Sequence, residues 1–356
     1  MPVYVNARFL TQPITGVQRY ATEISLHLKK MVPWTKFITP GNIVHRYIAE
    51  ILDAKPVGRF SGYLWEQIEL PKYLKGFGSP LLINLANTAP LFYKEQIVTI
   101  HDVAFLRNPL WFSKKFCYYY KLLIPRIARK SLKVVTVSKF SKKEIVNLMD
   151  IDERKIKVIY NAVSSEFVSM AKNGLPNEYG KYILAVSSLD PRKNFKNLIL
   201  AFGRLKLQDT KLIIVGSGNR VFADEGLREV ASFRNDIVFV NDTVDDELLT
   251  GLYKNAICFV YPSLYEGFGL PPLEAMACGC PTVVSNAASL PEVCGDAAYY
   301  VDPHDVDSIA DGMRKVLTDD DLRRSLIKKG LERVNFFSWE RSAREFLRVF
   351  EEVLKS

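Results

Sequence analysis

The chain has 356 residues, 48% hydrophobic and 24% charged; one hydrophobic core rarely keeps growing past about 250–300 residues, so two domains of ordinary globular composition are expected rather than a disordered or fibrous chain. Five cysteines, Cys117, Cys258, Cys278, Cys280 and Cys294, are odd in number and lack paired zinc-site spacing, so they read as reduced, buried hydrophobes. The net charge of +9 is uneven: residues 1–165 carry 25 Lys and Arg against 11 Asp and Glu, a net of +14, which leaves −5 for the rest and gives the two halves different partners.

Short apolar runs alternate with helical patterns along the whole chain, the rhythm of βαβ units and parallel sheets. In the first half, strands are predicted at Pro2–Val5, Leu81–Leu85, Ile97–His101, Val134–Ser138 and Ile156–Tyr160, with helices near Val17–Met31, Trp111–Ser131 and Phe140–Met149. The polar stretch Ser169–Gly180 breaks both periodicities and reads as a linker. Beyond it, strands are predicted at Tyr182–Val186, Leu212–Val215, Ile237–Val240, Cys258–Tyr261, Thr282–Val284 and Ala298–Val301. They alternate with helices at Phe195–Leu205, Asp246–Lys254, Pro272–Cys278 and Val306–Leu317. Trp339–Leu354 is an amphipathic helix whose apolar stripe, Phe346, Val349, Phe350 and Val353, needs a surface to cover. No basic leader and no apolar run near the roughly 18 residues of a membrane span is present, so the expected compartment is the cytoplasm.

The densest chemical signal is Tyr261-Pro-Ser-Leu-Tyr-Glu-Gly-Phe-Gly-Leu-Pro-Pro-Leu-Glu-Ala-Met-Ala-Cys-Gly. A strand ends, a loop carries Glu266, Gly267 and Gly269, and Pro271 and Pro272 fix the first turn of a helix, where proline is tolerated. Free N–H groups and the positive end of the helix dipole suit an anion such as a diphosphate, and the glycines allow close approach. Glu266 and Glu274 can each accept hydrogen bonds from vicinal sugar hydroxyls. Taken alone, such a loop is common in α/β folds. A second cluster, Ser187-Ser-Leu-Asp-Pro-Arg-Lys-Asn, follows the Tyr182–Val186 strand, and its Arg192 and Lys193 supply the cations that a leaving diphosphate needs without a metal.

Glu266 and Glu274, seven residues apart in this frame, resemble the Glu-x7-Glu signature of the group 1 (family four) retaining glycosyltransferases. Further matches are Thr15-Gly-Val-Gln-Arg-Tyr, Ile100-His-Asp-Val, Thr136-Val-Ser-Lys-Phe-Ser, Val158-Ile-Tyr-Asn-Ala-Val, Ile214-Val-Gly-Ser-Gly and Ser289-Leu-Pro-Glu-Val-Cys-Gly, so the resemblance covers nearly the whole chain. It implies an α/β GT-B fold, with two Rossmann-like domains whose parallel sheets face a central cleft. Residues 1–168 would form the acceptor domain, 181–337 the donor domain, and 338–356 a helix returning to the first. By resemblance Glu266 contacts hydroxyls of the donor sugar, Glu274 the ribose, and Arg192 and Lys193 the diphosphate. Many family members place the arginine directly after the strand, where this chain has Ser188. Gly16, Ser188, Gly216, Gly267, Phe268, Gly269 and Leu270 complete the implied donor site, and His101 with Glu266 forms the implied catalytic pair. A lone His is more often structural than functional; the strand end is what singles out His101. The resemblance implies retention of configuration, with the leaving phosphate as base.

Asp150-Ile-Asp and Asp305-Val-Asp have the metal-binding form of a different transferase fold, but their polar helical settings read as caps, and no metal or other cofactor is expected. Between Asp102 and Glu144 there are eleven cations and no acid. Arg107, Lys114, Lys115, Lys121, Arg126, Arg129 and Lys130 interleave with Trp111, Phe112, Phe116 and Tyr118 to Tyr120, a composition suited to an anionic membrane surface or a pyrophosphate-linked lipid, at roughly 1 kcal/mol per cation. The bland alternative is a solvated face over core aromatics. No nucleic-acid motif accompanies the stretch.

These features predict a cytoplasmic transferase, peripheral at the inner membrane, that moves a sugar from a nucleoside diphosphate to a lipid-linked oligosaccharide in O-antigen or capsule synthesis. The Leu64-Trp-Glu-Gln-Ile-Glu-Leu-Pro, Leu189-Asp-Pro-Arg-Lys-Asn and Pro291-Glu-Val-Cys-Gly variants resemble mannosyltransferases and favour GDP-mannose over UDP- or dTDP-sugars. A sugar-nucleotide epimerase or a non-catalytic glycan-binding scaffold on the same fold is the rival; a scaffold would be expected to lose Glu266, Lys193 or His101. A nicotinamide enzyme lacks its Gly-x-Gly-x-x-Gly after the first strand.

Overall fold

Apolar runs buried on both faces form two wholly parallel sheets, each within its own unit of a computed structural model that describes residues 3–173, 177–216, 234–240 and 244–355. Unit 1 comprises Met1–Arg107, Tyr118–Asn161 and Trp339–Ser356; unit 2 comprises Asn108–Cys117 and Ala162–Ser338. Unit 1 holds β1 (Tyr4–Asn6), β2 (Lys36–Thr39), β3 (Lys55–Pro56), β4 (Leu82–Asn84), β5 (Gln96–Thr99), β6 (Lys133–Thr136) and β7 (Ile156–Val158), in the order β3-β2-β1-β4-β5-β6-β7. Unit 2 holds β8 (Lys181–Val186), β9 (Thr210–Val215), β10 (Ile237–Val240), β11 (Cys258–Tyr261), β12 (Thr282–Ser285) and β13 (Tyr299–Val301), in the order β10-β9-β8-β11-β12-β13. Both are Rossmann-like. In each sheet the strand order reverses beside the first strand, between β1 and β4 and between β8 and β11. Such a switch point parts the connecting loops and leaves a crevice at the carboxyl ends of the strands, where open α/β sheets bind ligands.

Several elements depart from the sequence expectation. The predicted linker begins in a helix, Ser165–Asn173, because Phe167 and Ala171 are buried and Phe167 meets Tyr253 edge-on at 6.3 Å. Residues 174–176 of that linker, and Pro2 of the first predicted strand, lie outside the described residues. Asn108–Cys117 groups with unit 2, where Trp111 approaches Tyr265 at 6.1 Å, although the first domain was expected to run unbroken to residue 168. β2, β3 and the polar helix Asp320–Val334 were not anticipated. Both Asp-x-Asp segments serve as caps: Asp152 accepts from the Arg154 N–H at 2.9 Å and Asp305 from the Asp307 N–H at 2.8 Å.

A widened turn in unit 1 has consequences for its chemistry. Trp65–Glu69 is π-helical, closed by the Leu70 N–H to the Trp65 carbonyl. Trp65, Leu70 and Leu74 are all fully buried in one cluster with Tyr4, Ile38 and Leu82. The five-residue step from Trp65 to Leu70 is out of phase with an α-helical turn, and the wide turn brings both into the same core. It also buries the next residue, Glu66.

The C-terminal helix Trp339–Lys355 packs on Gly16–Met31 within unit 1, burying Trp339, Ala343, Phe346, Val349 and Phe350. Tyr20 meets Trp339 at 5.9 Å, and Ser342 Oγ donates to the Tyr160 carbonyl at 2.6 Å. Phe346→Ala should therefore destabilise unit 1 by about 3–5 kcal/mol. In urea titration this appears as an earlier unit 1 transition, and an unchanged midpoint would contradict the packing.

Candidate active site

The carboxyl ends of β8 and β11 carry two short loops that are tied together. After β8, Pro191–Lys193 forms one 3-10 turn capped by Asp190, whose Oδ1 accepts from the Arg192 N–H and Nε, both at 3.2 Å. Ser188 Oγ donates to Asp190 Oδ2 at 2.9 Å. Asn194 follows at φ 62°, a left-handed conformation that Asn tolerates. Its amide donates to the carbonyls of Pro262 at 3.0 Å and Pro303 at 2.6 Å. The Arg192 carbonyl accepts from the Leu264 N–H at 2.7 Å and lies 3.1 Å from Ser263 Oγ, so this turn and the loop after β11 are fixed to each other.

Lys193 and Glu266, each 7% exposed, meet inside this junction. Lys193 Nζ donates to Glu266 Oε1 at 2.6 Å and to the Tyr261 hydroxyl at 3.0 Å. Tyr261 Oη and Ser263 Oγ donate to the same Oε1 at 2.7 and 2.6 Å. Two of the three ammonium hydrogens are thus engaged, which leaves the third for another acceptor. Burial works against the Glu266 charge, but Lys193 and Arg192, with hydrogen bonds from Lys193 and Ser263, outweigh it and hold the carboxyl below its ordinary range. Arg192 also lies over the Phe112 ring at 5.8 Å.

The glycine loop continues from Glu266. Ser289 Oγ lies 3.0 and 2.9 Å from the carbonyls of Glu266 and Phe268, one donor shared between two acceptors. Gly269, at φ 91°, turns the chain into the helix Leu270–Ala277, with proline in its first turn. Glu274, one turn into that helix and 7% exposed, accepts from the Tyr253 hydroxyl at 3.2 Å. Gly216 follows β9 directly, where a Cβ would collide with the Ser187 carbonyl oxygen. Ser217 and Gly218, which complete that sequence motif, lie outside the described residues. Unit 2 therefore gathers Ser188, Arg192, Lys193, Gly216, the Glu266–Leu270 loop and Glu274 around the carboxyl ends of its central strands.

His101 and Gly16 belong to unit 1. His101 follows β5, with its N–H donating to Asn87 Oδ1 at 2.8 Å and its Nε2 at 2.9 Å from the Leu85 carbonyl. A carbonyl only accepts, so Nε2 carries the hydrogen and Nδ1 keeps the lone pair. Burial holds the imidazole pKa below its usual value, and the ring is neutral at pH 7. Gly16 is exposed at the start of the helix Gly16–Met31. The helix Lys114–Lys130 exposes Lys114, Lys115, Lys121, Arg126, Arg129 and Lys130, and Lys130 lies 4.7 Å over Phe92. Arg107 approaches Glu144 at 3.9 Å. Sequence reasoning did not assign Asp190, Asn194, Tyr253, Tyr261, Ser263 or Ser289; of these only Tyr261 and Ser263 lie in the glycine-loop motif.

Breaking the buried pair should be costly. Lys193→Met leaves Glu266 charged and underpaired, an expected loss of about 3–5 kcal/mol for unit 2 at pH 7. The pH dependence separates this from a generic core defect. In the wild type the Glu266 pKa is depressed, so its contribution is present above the unfolded-state value near 4.5 and is lost as pH falls through the lower folded value. In Lys193→Met the sign reverses, because protonating the unpaired carboxyl recovers stability as pH falls. Urea midpoints from pH 7 to 4 should converge between the two proteins, and parallel curves would contradict the assignment.

Comparison with known proteins gives the family. The family model for glycosyl transferases group 1 matches residues 169–333, and that for glycosyltransferase family 4 matches residues 14–167. O-antigen chain mannosyltransferase B of Escherichia coli is 33% identical over 277 residues, covering 74% of this chain and 73% of that protein. The serotype-specific mannosyltransferase WbdA of Escherichia coli is 34% identical over 240 residues, 63% of this chain but 29% of that larger protein. Among solved structures, Anabaena HepE in complex with UDP-glucose superposes with a TM-score of 0.75 at 16% identity, covering 99% of each chain, which shows a shared fold. Two family models that between them take in nearly the whole chain, and a 33% identical relative matched over most of its length, establish that this protein belongs to the group 1 glycosyltransferases, enzymes of the GT-B fold.

Proposed function

We propose that this glycosyltransferase moves mannose from GDP-mannose, with retention of configuration, to a lipid-linked oligosaccharide during surface-polysaccharide assembly. The observation that carries the reading is the convergence of Lys193 and Arg192 with Glu266 beside the glycine loop. A nucleoside diphosphate leaving group needs its growing charge neutralised. The third Lys193 hydrogen, the Arg192 guanidinium and the N–H groups opening the Leu270–Ala277 helix supply that without a metal ion. The donor sugar hydroxyls fall to Glu266 and the ribose to Glu274. His101, neutral and in unit 1, offers Nδ1 as a hydrogen-bond acceptor, and the departing phosphate takes the proton of the attacking hydroxyl.

The choice of mannose follows the names of the curated relatives, two mannosyltransferases. Acceptor and location follow the helix Lys114–Lys130. Its exposed cations flank Tyr118 and Leu122, also exposed, which suits an anionic bilayer surface carrying a pyrophosphate-linked lipid. No helix among the described residues is long and apolar enough to cross a membrane. In this reading the cationic face docks peripherally on the inner membrane.

The test is a thermal-shift panel of GDP-mannose, GDP-fucose, UDP-sugars and dTDP-rhamnose, with and without EDTA, on wild type and Glu274→Ala. A ligand that binds only the folded state adds about 2.7 kcal/mol at a hundred times its Kd. GDP-mannose should stabilise the wild type, indifferently to EDTA, and lose most of that effect in Glu274→Ala. Stabilisation by UDP- or dTDP-sugars alone would replace the donor, and a response to none of them would overturn the transferase mechanism above.

A further inference from the structure

The switch point of the unit 1 sheet carries a polar cluster that donor binding leaves unused. Asn6 and Asn84 are the last residues of β1 and β4 and are partners in register. Asn6 Nδ2 donates to Asn84 Oδ1 at 3.0 Å and to Glu66 Oε1 at 2.9 Å. Arg8 Nε donates to the same Glu66 oxygen at 3.0 Å, and its Nη2 donates to Thr88 Oγ1 at 2.7 Å. None of these five residues is more than 6% exposed. Glu66 Oε2 is buried and has no hydrogen-bond partner.

That arrangement is unlike an ion pair built only for the fold. An arginine that neutralises a buried carboxylate for stability commonly uses both oxygens in a parallel fork. Here Arg8 meets one oxygen, and its guanidinium lies 4.8 Å over the ring of Tyr63. Tyr63 is 37% exposed, contacts Tyr119 at 4.9 Å between ring centroids, and shares a 3.1 Å hydrogen bond with the Tyr120 hydroxyl. A buried carboxylate with one unpartnered oxygen is thus linked through Arg8 to the exposed Tyr63 and its half-buried neighbours Tyr119 and Tyr120. Pyranosides are recognised by this pairing: a hydroxyl donates to a carboxylate while the C–H face of the ring lies on an aromatic surface. The π-helical turn that seats Trp65 and Leu70 in the core also buries Glu66, and such turns are frequent at functional sites.

We propose that Glu66 and Tyr63 form a saccharide subsite for the acceptor, in which one sugar ring rests on Tyr63 and Tyr119 and donates a hydroxyl hydrogen to Glu66 Oε2. Arg8 and Asn6 are positioning residues: both donate to Oε1 and so leave Oε2 for the sugar. The identification of the sugar as acceptor rests on the transferase reading above; the presence of a saccharide subsite in unit 1 does not.

Saturation-transfer NMR with methyl α-mannopyranoside and methyl N-acetyl-α-glucosaminide, without nucleotide, tests the subsite. The wild type should transfer saturation to the ring C–H protons of at least one glycoside. Tyr63→Leu, an exposed position whose change spares the core, should weaken binding by tenfold or more, and Glu66→Gln by about tenfold, the loss expected for one charge-assisted hydrogen bond. The nucleotide-sugar thermal shift, measured on the same proteins, should be the same in all three. Absence of saturation in the wild type for both glycosides, or equal binding in wild type and Tyr63→Leu, overturns the subsite. Glycoside binding that survives in a protein indifferent to every nucleotide sugar upholds the subsite and sinks the transferase mechanism instead.

Discussion

Everything proposed for unit 2 depends on one buried ion pair. Lys193 and Glu266 come from loops after different strands, 73 residues apart in sequence, and meet at 2.6 Å where neither is appreciably solvated. Burying two charges is favourable only when the geometry is good and further hydrogen bonds complete it. Tyr261 and Ser263 supply those bonds, and the Asp190 cap and the Asn194 amide hold the backbone that delivers the lysine. A cation fixed this way costs no reorganisation when a phosphate charge develops beside it. The same network fixes the first residue of the glycine loop, so charge stabilisation and close backbone approach are set by one structural element.

The two units apply one principle twice. Each sheet reverses its strand order beside its first strand, and at both reversals the structure assembles buried charge at the strand ends: Lys193 with Glu266 in unit 2, Arg8 with Glu66 in unit 1. The surroundings differ in kind. The unit 2 pair sits beside a glycine loop and a helix N-terminus, which suit phosphate, whereas the unit 1 pair sits beside tyrosine rings, which suit a sugar.

Much of the fold was legible because parallel strands buried on both faces read as short apolar runs: Ile237–Val240 and Cys258–Tyr261 match expectation to the residue. What escaped had weaker physical signals. β2 is a four-residue strand between Pro33 and Pro40, and β3 has two residues. The helix Asp320–Val334 buries only Leu326 and Gly330, too little for an apolar period. The π-helical turn hides because its five-residue step fits neither helix nor strand spacing. At the site, Glu266, Glu274 and Lys193 stood out because they fall in compact motifs. Asn194 closes the same motif as Lys193 but its role stayed hidden, since its partners at Pro262 and Pro303 lie 68 and 109 residues away. Glu66 gave no local sign of its burial.

The proposed chemistry of unit 2 requires Lys193 and Glu266 to act as one unit in holding the leaving group. Calorimetric affinities for the nucleoside diphosphate that stabilises the wild type, measured across Lys193→Met, Glu266→Gln and the double variant, test this directly. If the pair is one preorganised element, Glu266→Gln weakens diphosphate binding although it removes a negative charge, and the double variant is scarcely worse than Lys193→Met alone. Tighter binding in Glu266→Gln, or losses that simply add, would show that the carboxylate does not hold the lysine in place and would contradict the central claim.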